Sequence, residues 1–256
     1  MKKIYILIFL ITGLLLGVTS CKIDNFAEPD AQVFGAIRDS VGGGLVETDI
    51  NTASSVNIGS TIGAYELGKY AANPVVNYWL IKQNGEYRNN LVYSNTYKID
   101  FQSCNFFPKT IPEQVITPGA NQLDFNVVPY IRIKNLSITN NVATNKIIAT
   151  FNLEAGKSTV KVSKITLYVF TDMYVGEYVK KTLVTGTGVP SITYSPTVIN
   201  PATLYTLSLD VAANNVTSSP IFSVHRNYYF RVGAMANQAG VGTIRTNYAP
   251  YVVIPL

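Results

Sequence analysis

The sequence predicts an all-β protein built from two β-sandwich domains. From Ala31 onward, apolar and polar residues alternate with a period of two in almost every apolar segment. Gly, Pro, Asn and Asp separate these short segments, and no stretch shows the 3.6-residue period of an amphipathic helix. Short strands joined by such turns are typical of sandwiches, and 256 residues provide enough chain for two separate β cores.

The first domain is predicted to span residues 31–128 and to resemble a small sandwich. Asn84-Gly85 is predicted to form a hairpin turn, because both residue types tolerate a positive φ. Three successive glycines, Gly42 to Gly44, predict a flexible turn after the first strand. The strands are expected at residues 32–38, 61–67, 75–82, 87–93, 96–101 and 123–128.

The second domain is predicted to span residues 129–256, because Pro129 ends the preceding strand and a new β series follows. Since Pro129 is essentially the whole linker, we expect the two domains to be stiffly joined. The alternation in residues 228–234 predicts that Val232 faces the core and Arg231 faces outward. The strands are expected at residues 146–153, 162–170, 204–211, 228–234 and 251–254.

The N-terminus is typical of a bacterial lipoprotein signal peptide, predicted over residues 1–20. Two lysines follow Met1, and an apolar run leads through small residues to Cys21. The run is shorter than the ~20 residues that a membrane-spanning helix needs. We expect Cys21 to become the lipidated, palmitate-bearing first residue of the mature chain, with residues 21–30 as a tether. The alternative is an ordinary secretory peptide in which the cysteine is incidental.

This interpretation predicts a lipid-anchored protein of the outer membrane that faces the outside of the cell. Asp24, Glu28 and Asp30 follow the lipidation site, as acidic surface-export signals do in Bacteroidetes lipoproteins, although the simpler interpretation is a flexible tether. If Cys21 carries lipid, Cys104 has no partner for an intrachain disulfide. Cys104 is then expected to be a small, partly buried side chain.

The composition argues against nucleic-acid binding and against catalysis. The formal net charge is +5, but the basic residues are scattered along the chain instead of forming one patch. His225, the only histidine, is expected to be a polar residue at a strand edge, and a His/Cys metal cluster is absent from the sequence. We therefore predict that the protein is not an enzyme. We expect no cofactor, no metal site and no catalytic residues.

Aromatic residues of the first domain are the candidates for ligand binding. Sugar-binding proteins stack exposed Trp or Tyr rings on sugar CH faces and fix the hydroxyls with polar side chains. The dipeptide Tyr78-Trp79 and the loop that carries Tyr87 and Arg88 have this composition. We select Trp79, Tyr87 and Arg88 as candidate ligand-binding residues. The alternative for Trp79 is a place in the core, because it shares a strand face with Ile81.

Several segments resemble a family of Bacteroidetes lipoproteins known as a domain of unknown function of the 3823 type. The resemblance is carried by IGAYELG (62–68), WLIKQNGEYRNNLVYSNTYKI (79–99), LDFNVVPY (123–130), YYFRVGA (228–234) and RTNY (245–248). It implies a first domain like the transthyretin-like regulatory module of carboxypeptidases and a second domain like an immunoglobulin or fibronectin type III sandwich. It also implies an association with SusC/SusD-type glycan-uptake systems, and it transfers no catalytic residues.

The sequence thus favours a non-catalytic lipoprotein that is an accessory part of a glycan-capture system. Its expected partners are the membrane, through the lipid, and a glycan or SusC/SusD-type proteins. One alternative is a structural spacer or docking module of a cell-surface complex. Another is a fimbrial-type subunit, which would need a processing site and strand exchange.

Replacing the predicted lipidation site tests the anchoring hypothesis. Cys21→Ser is expected to abolish fatty-acid labelling and to release the protein from membranes, because each buried CH₂ of an acyl chain contributes ~0.8 kcal/mol of membrane affinity. Metabolic labelling with a fatty-acid probe measures the effect, with Cys104→Ser as the matched control. Equal labelling of the Cys21→Ser variant and the wild type would refute the assignment.

Overall fold

A computed structural model describes residues 27–51, 59–68, 72–184, 188–216 and 219–256. The predicted signal peptide, Cys21 and most of the predicted tether lie outside these ranges. The described residues contain strands and turns but no α-helix, and the all-β fold with two sandwiches is confirmed. Within the same ranges, no helix has the length and apolarity to cross a bilayer.

The described residues form nineteen strands. These are β1 (Ala31–Asp39), β2 (Thr61–Glu66), β3 (Val76–Leu80), β4 (Glu86–Val92), β5 (Asn95–Phe101), β6 (Lys109–Ile116), β7 (Gly119–Gln122), β8 (Phe125–Val127), β9 (Ile131–Asn141), β10 (Lys146–Ala155), β11 (Lys161–Phe170), β12 (Gly188–Val189), β13 (Ser191–Val198), β14 (Tyr205–Asp210), β15 (Asn215–Val216), β16 (Ser219–Pro220), β17 (Asn227–Asn237), β18 (Asn247–Tyr248) and β19 (Val252–Pro255).

The first sandwich packs the sheet β4-β1-β7, to which β8 also belongs, against the sheet β3-β2-β5-β6. Strand β1 pairs antiparallel with β4 on one side, and on the other it pairs in parallel with β7 and then with β8. Alternate residues of each strand face inward, as the period of two requires. They form one buried cluster, whose members include Val33, Ile37, Ile62, Trp79, Tyr87, Ile99, Phe101, Phe106 and Phe125.

The second sandwich packs the sheet β12-β14-β10-β9 against the sheet β13-β11-β17, in which β18 and β19 both pair with β17. Its buried cluster is separate from that of the first sandwich and includes the alternating residues of β10, β11, β14 and β17. Among these are Ile147, Ala149, Phe151, Leu153, Ile165, Leu167, Leu207, Leu209, Tyr228, Phe230, Val232 and Ala234. The strand register predicted from the alternation therefore agrees with the structure.

Three long strands, β6, β9 and β13, were not predicted from the sequence. β6 and β13 lie at sheet edges, are mostly exposed, and contain Pro112 and Pro196, so their alternation is weak. In β9, Asn135 has a positive φ of 52°, and the pairing with β10 shifts register nearby. Such a bulge interrupts the period of two and hides the strand from pattern analysis.

The predicted hairpin turn is present, but its geometry differs from the expectation. The amide of Gly85 donates to the carbonyl of Lys82 over 2.9 Å, so Gln83 and Asn84 occupy the corner. Gly85 has a φ of 85°, whereas Asn84 is not in the left-handed region. The turn is therefore a three-residue loop in which glycine takes the positive φ, instead of the expected two-residue turn.

Arg231 corrects the expectation that its side chain faces solvent. It points away from the core of its own sandwich, but its side chain is 0% exposed because the first sandwich covers it. Its guanidinium donates to Glu47 Oε2 over 2.7 Å and to the carbonyls of Thr48 and Gln83, all in the first sandwich. It also donates to two carbonyls of the second sandwich, those of Val175 and Ala249. All five N–H donors of the guanidinium are thereby paired.

Further polar contacts join the two sandwiches around Arg231. Asp49 Oδ2 accepts hydrogen bonds from the amide of Glu177 over 2.8 Å and from the hydroxyl of Tyr248 over 2.7 Å. Arg132 donates through Nη2 to Asp39 Oδ1 over 2.7 Å, and a second bond joins Nε to the other carboxylate oxygen. Burial disfavours the charge of Asp39, but the hydrogen bonds from Arg132 and from the amide of Val41, together with the positive charges of Arg132 and Lys134, outweigh it and lower the pKa of that carboxyl. The sandwiches are thus joined by a buried polar interface in addition to Pro129.

Removal of the Arg231 guanidinium is expected to destabilise the protein strongly. Arg231→Met leaves Glu47 and several carbonyls buried without a partner, for which a loss of about 3–5 kcal/mol in the free energy of unfolding is expected at pH 7. Denaturant melts measure it. Arg88→Met, at an exposed arginine, is the matched control and should change stability by no more than about 0.5 kcal/mol.

The pH dependence of the same variant follows from Glu47. Burial raises the pKa of Glu47 in the folded state, although the charge of Arg231 opposes this shift. Protonation of Glu47 therefore stabilises the folded state relative to the unfolded state. Stability is therefore lost as the pH rises from the ordinary value of 4.5 through the folded-state pKa. Arg231→Met removes the opposing positive charge. Relative to the wild type, the variant should therefore lose more free energy of unfolding at pH 7 than near pH 4.5. In the double variant that also carries Glu47→Gln, the loss should be the same at both pH values. If the difference between pH 7 and pH 4.5 persists, Glu47 is not its cause.

Candidate functional site

An exposed tyrosine marks the outer face of the sheet β3-β2-β5-β6. Tyr78 on β3 is 49% exposed, whereas its neighbour Trp79 faces the core. The register places Tyr78 opposite Gly63 on β2, and Gly63 opposite Asp100 on β5. Since residues two apart in a strand share a face, Tyr65 lies on the same outer face as Gly63.

A small depression lies at Gly63 because this position has no side chain. A Cβ atom there would lie 3.2 Å from the Asp100 carbonyl oxygen and 3.5 Å from Cε2 of Tyr65. The depression has a volume of about 110 Å³, and the residues that line it are Thr61, Gly63, Tyr65, Tyr78, Asp100, Gln102 and Ser103. Burial and the nearby carboxylate of Asp100 raise the pKa of Tyr65, so its hydroxyl remains a neutral donor and acceptor.

Asp100 presents a free acceptor to this depression. Its Oδ1 accepts hydrogen bonds from Gln102 Nε2 over 2.7 Å and from Thr110 Oγ1 over 2.8 Å. Within the described residues, Oδ2 accepts none. Lys98 Nζ lies 4.2 Å from the ring centroid of Tyr65 and holds that ring from one side. The carboxylate is thus fixed through one oxygen and available through the other.

A larger cleft, which Tyr78 also lines, opens at the edge of the sandwich. It has a volume of about 420 Å³, and it is lined by Glu66, Val75, Val76, Asn77, Tyr78, Trp79, Leu91, Val92, Tyr93 and Tyr97. Tyr93 is 41% exposed, and Leu91 is more exposed still. Glu66 Oε1 accepts from Asn95 Nδ2 over 2.8 Å, and Oε2 accepts no hydrogen bond within the described residues. We call this edge cleft and the Gly63 depression, together with the Tyr78 ring between them, the Tyr78 site.

The Tyr78 site has the chemistry of a ligand-binding surface. The edge cleft is lined mainly by apolar and aromatic side chains, whereas the Gly63 depression places polar side chains beside two tyrosines. Apolar walls with a few polar groups are usual in small-molecule sites. The exposed tyrosine rings can stack on the apolar CH faces of a sugar, and the carboxylate oxygens can accept hydrogen bonds from its hydroxyl groups. The site contains no group arranged to act as an activated nucleophile.

Two of the three residues selected from the sequence are core residues. Trp79 and Tyr87 are each 2% exposed, and their rings stack with centroids 6.4 Å apart. The Tyr87 hydroxyl donates to the carbonyl of Leu123 over 2.6 Å. Neither ring is exposed as a platform for stacking, and the burial of Trp79 agrees with its core alternative, although Trp79 also lines the edge cleft. The physical reason is that successive side chains of a strand point to opposite faces, so Tyr78 points outward when Trp79 points inward.

Arg88, the third selected residue, is exposed but lies on the other sheet of the first sandwich. Its Nη2 donates to Gln32 Oε1 over 2.6 Å and its Nε to Asn90 Oδ1 over 2.8 Å. The structure does not bring it together with the Tyr78 site. Sequence analysis missed Tyr65 and Asp100, which only the pairing of β2, β3 and β5 places next to Tyr78.

The histidine, the described cysteine and the acidic residues were compared with the needs of nucleophilic and metal-dependent sites. His225 is exposed at a strand edge. Cys104 is fully buried, and burial raises the pKa of its thiol to about 12, so the thiol stays protonated. In the ranges that the structure covers, no group of three or more His, Cys, Asp or Glu side chains could hold a metal ion.

Comparisons with known proteins define the class of this chain. Residues 131–252 match the family described as a domain of unknown function, DUF3823_C. A candidate carbohydrate binding protein from Bacteroides uniformis is 43% identical, with a TM-score of 0.79 and coverage of 89% of this chain and 100% of that chain. The chain belongs to the same family as this Bacteroides uniformis protein, and its second sandwich carries the DUF3823_C domain.

More distant structures share the fold. A DUF3823 family protein from Bacteroides uniformis is 17% identical, with a TM-score of 0.67 and coverage of 89% of this chain and 100% of that chain. One from Parabacteroides merdae is also 17% identical, with a TM-score of 0.63 and the same coverage. Curated proteins give no match. Neither the family description nor the names of these relatives refer to an enzyme.

Substitutions at adjacent positions test which aromatic ring is structural. Trp79→Ala should cost about 3–5 kcal/mol of unfolding free energy, because it leaves a cavity in the first core. Tyr78→Ala should change it by no more than about 0.5 kcal/mol, since the ring is on the surface. Denaturant melts of the two variants give the comparison, and equal losses would mean that Tyr78 also supports the core.

Proposed function

We propose that this protein is a non-catalytic carbohydrate-binding protein and that it binds its glycan at the Tyr78 site. The observation that carries the proposal is the exposed Tyr78 ring between two cavities, each of which offers a carboxylate oxygen with no partner among the described residues. The relationship to the Bacteroides uniformis protein, which is itself a candidate carbohydrate binding protein, supports it.

We further propose that the protein is anchored by lipid at Cys21 in the outer membrane and faces the outside. There it serves a glycan-capture system, with SusC/SusD-type proteins as partners. The support for this setting is the lipoprotein signal in the sequence and the short acidic segment after Cys21. A surface location would give the Tyr78 site access to polysaccharides that are too large to cross the membrane.

The second candidate function is a structural spacer or docking module. The observation that favours it is the buried polar interface around Arg231, which joins the two sandwiches as a spacer requires. A spacer would not need the exposed tyrosines at the Tyr78 site. A fimbrial-type subunit is a weaker candidate, because no observation in the described strands calls for strand exchange.

Affinity gel electrophoresis against a panel of polysaccharides separates these functions. The full chain, solubilised in a detergent without a sugar headgroup, is expected to be retarded by at least one polysaccharide. Tyr78→Ala should weaken that retardation at least about tenfold, a loss of about 1.4 kcal/mol, since a stacked ring is removed. Tyr174→Ala, at an equally exposed tyrosine of the second sandwich, is the matched control and should bind as the wild type does.

Two outcomes would count against the proposal. If no polysaccharide retards the wild-type chain, the spacer function is favoured. If Tyr78→Ala and Tyr174→Ala bind equally well, the glycan contacts another surface.

A further inference from the structure

We infer that the ligand of the Tyr78 site is an uncharged glycan, bound along its chain with one unit stacked on the Tyr78 ring and a neighbouring unit in the edge cleft. This inference rests on the proposed function and adds the charge class and the binding mode to it. It follows from three features of the site: the charges that line it, the free oxygens it presents, and the shapes of its two cavities.

The charges of the described residues that line the Tyr78 site disfavour an anionic ligand. Glu66 in the edge cleft and Asp100 in the Gly63 depression are the only charged residues that line the two cavities in the described part of the chain. None of the described lysine or arginine residues lines either cavity, and the ammonium group of Lys98 on the same sheet lies over the ring of Tyr65. Uronate and sulfate groups would be repelled by both carboxylates and would meet no cation among the described residues that line the two cavities.

The free carboxylate oxygens match the hydroxyl groups of a neutral sugar. Oδ2 of Asp100 and Oε2 of Glu66 accept no hydrogen bond within the described residues. Hydrogen bonds from a neutral hydroxyl to an ionised acceptor are short and strong. Each cavity therefore offers one strong acceptor, and Tyr78 lines both cavities.

The shapes of the cavities indicate binding along a chain. Tyr78 lines both cavities, so a ligand that occupies both must cross its ring. The depression has a volume of about 110 Å³ and the edge cleft about 420 Å³. We assign the larger cleft to one sugar unit and the depression to an exocyclic group, such as a hydroxymethyl, of the unit stacked on Tyr78.

Gly63 becomes a specificity-determining residue in this arrangement. Its φ is outside the left-handed region, so alanine is compatible with the backbone. The added Cβ would lie 3.2 Å from the Asp100 carbonyl oxygen and 3.4 Å from Val76 Cγ2, which requires only a small adjustment. Gly63→Ala therefore fills the floor of the depression in a folded protein, and it should weaken binding of a hydroxymethyl-bearing glycan at least about tenfold. Wild-type affinity in a folded Gly63→Ala protein would overturn the role of the depression.

The charge class is tested with one polymer in two forms. A neutral polysaccharide that the full chain binds is oxidised so that part of its hydroxymethyl groups become carboxylates, and both forms are titrated by calorimetry. The oxidised form should bind at least about tenfold more weakly, and Asp100→Asn should recover part of this loss. Equal affinity for both forms, or a preference for a cationic amino-sugar polymer over its neutral N-acetylated form, would overturn the uncharged class.

The binding mode is tested with oligosaccharides of increasing length from the same polymer. Affinity should rise from the monosaccharide to the disaccharide or trisaccharide, as both cavities become occupied. A monosaccharide that binds as tightly as the trisaccharide would overturn binding along the chain. These failures differ from failure of the proposed function, in which no glycan binds or Tyr78→Ala has no effect.

Discussion

The buried guanidinium of Arg231 is the interaction on which the arrangement of the two sandwiches depends. A charged group can be buried only when its hydrogen-bonding groups are paired, and an unpaired donor there would be costly. The five bonds of Arg231 are divided between the sandwiches, and its guanidinium also lies 4.2 Å from the ring centroid of Tyr248. Moving one sandwich relative to the other would break several of these bonds together, so the interface behaves as a single unit.

The same polar network reaches the strands that carry the Tyr78 site. Thr48, whose carbonyl accepts from Arg231, exchanges hydrogen bonds with Ser60 through its hydroxyl. Ser60 donates to Asn105, whose side chain in turn donates to the carbonyls of Glu47 and Thr246. Ser60 directly precedes β2, and Asn105 lies shortly after Gln102. The interface thus fixes the ends of the segments that supply one side of the depression, and the second sandwich supports the site without contributing a residue that lines it.

Features that depend on the local alternation of apolar and polar residues could be predicted from the sequence. Features that depend on a segment far away in the sequence could not. The inward residues of β10, β11 and β17 were predictable because one face of each strand is apolar. The strand face of Arg231, away from the core of its own sandwich, was also predicted correctly. The alternation does not show whether that face meets water or another domain. For the candidate site, the parity that buries Trp79 is the signal that exposes Tyr78. The position of Asp100 beside them depends on the pairing of three strands, which no local pattern reveals.

Gly63 connects the stability of the first sandwich to its proposed function. Glycine in the interior of a strand is less favourable than alanine by roughly 0.5–1 kcal/mol, because it loses more backbone entropy and packs no side chain. The ring of Tyr65 approaches this position and covers part of the exposed backbone, which partly offsets that cost. Since the backbone at Gly63 has a φ that alanine can adopt, the turn and strain requirements that usually explain a glycine do not apply here. Two physical features account for the glycine: the close approach of the Asp100 carbonyl oxygen, 3.2 Å from the place of a Cβ, and the depression that glycine leaves between two tyrosines and a carboxylate.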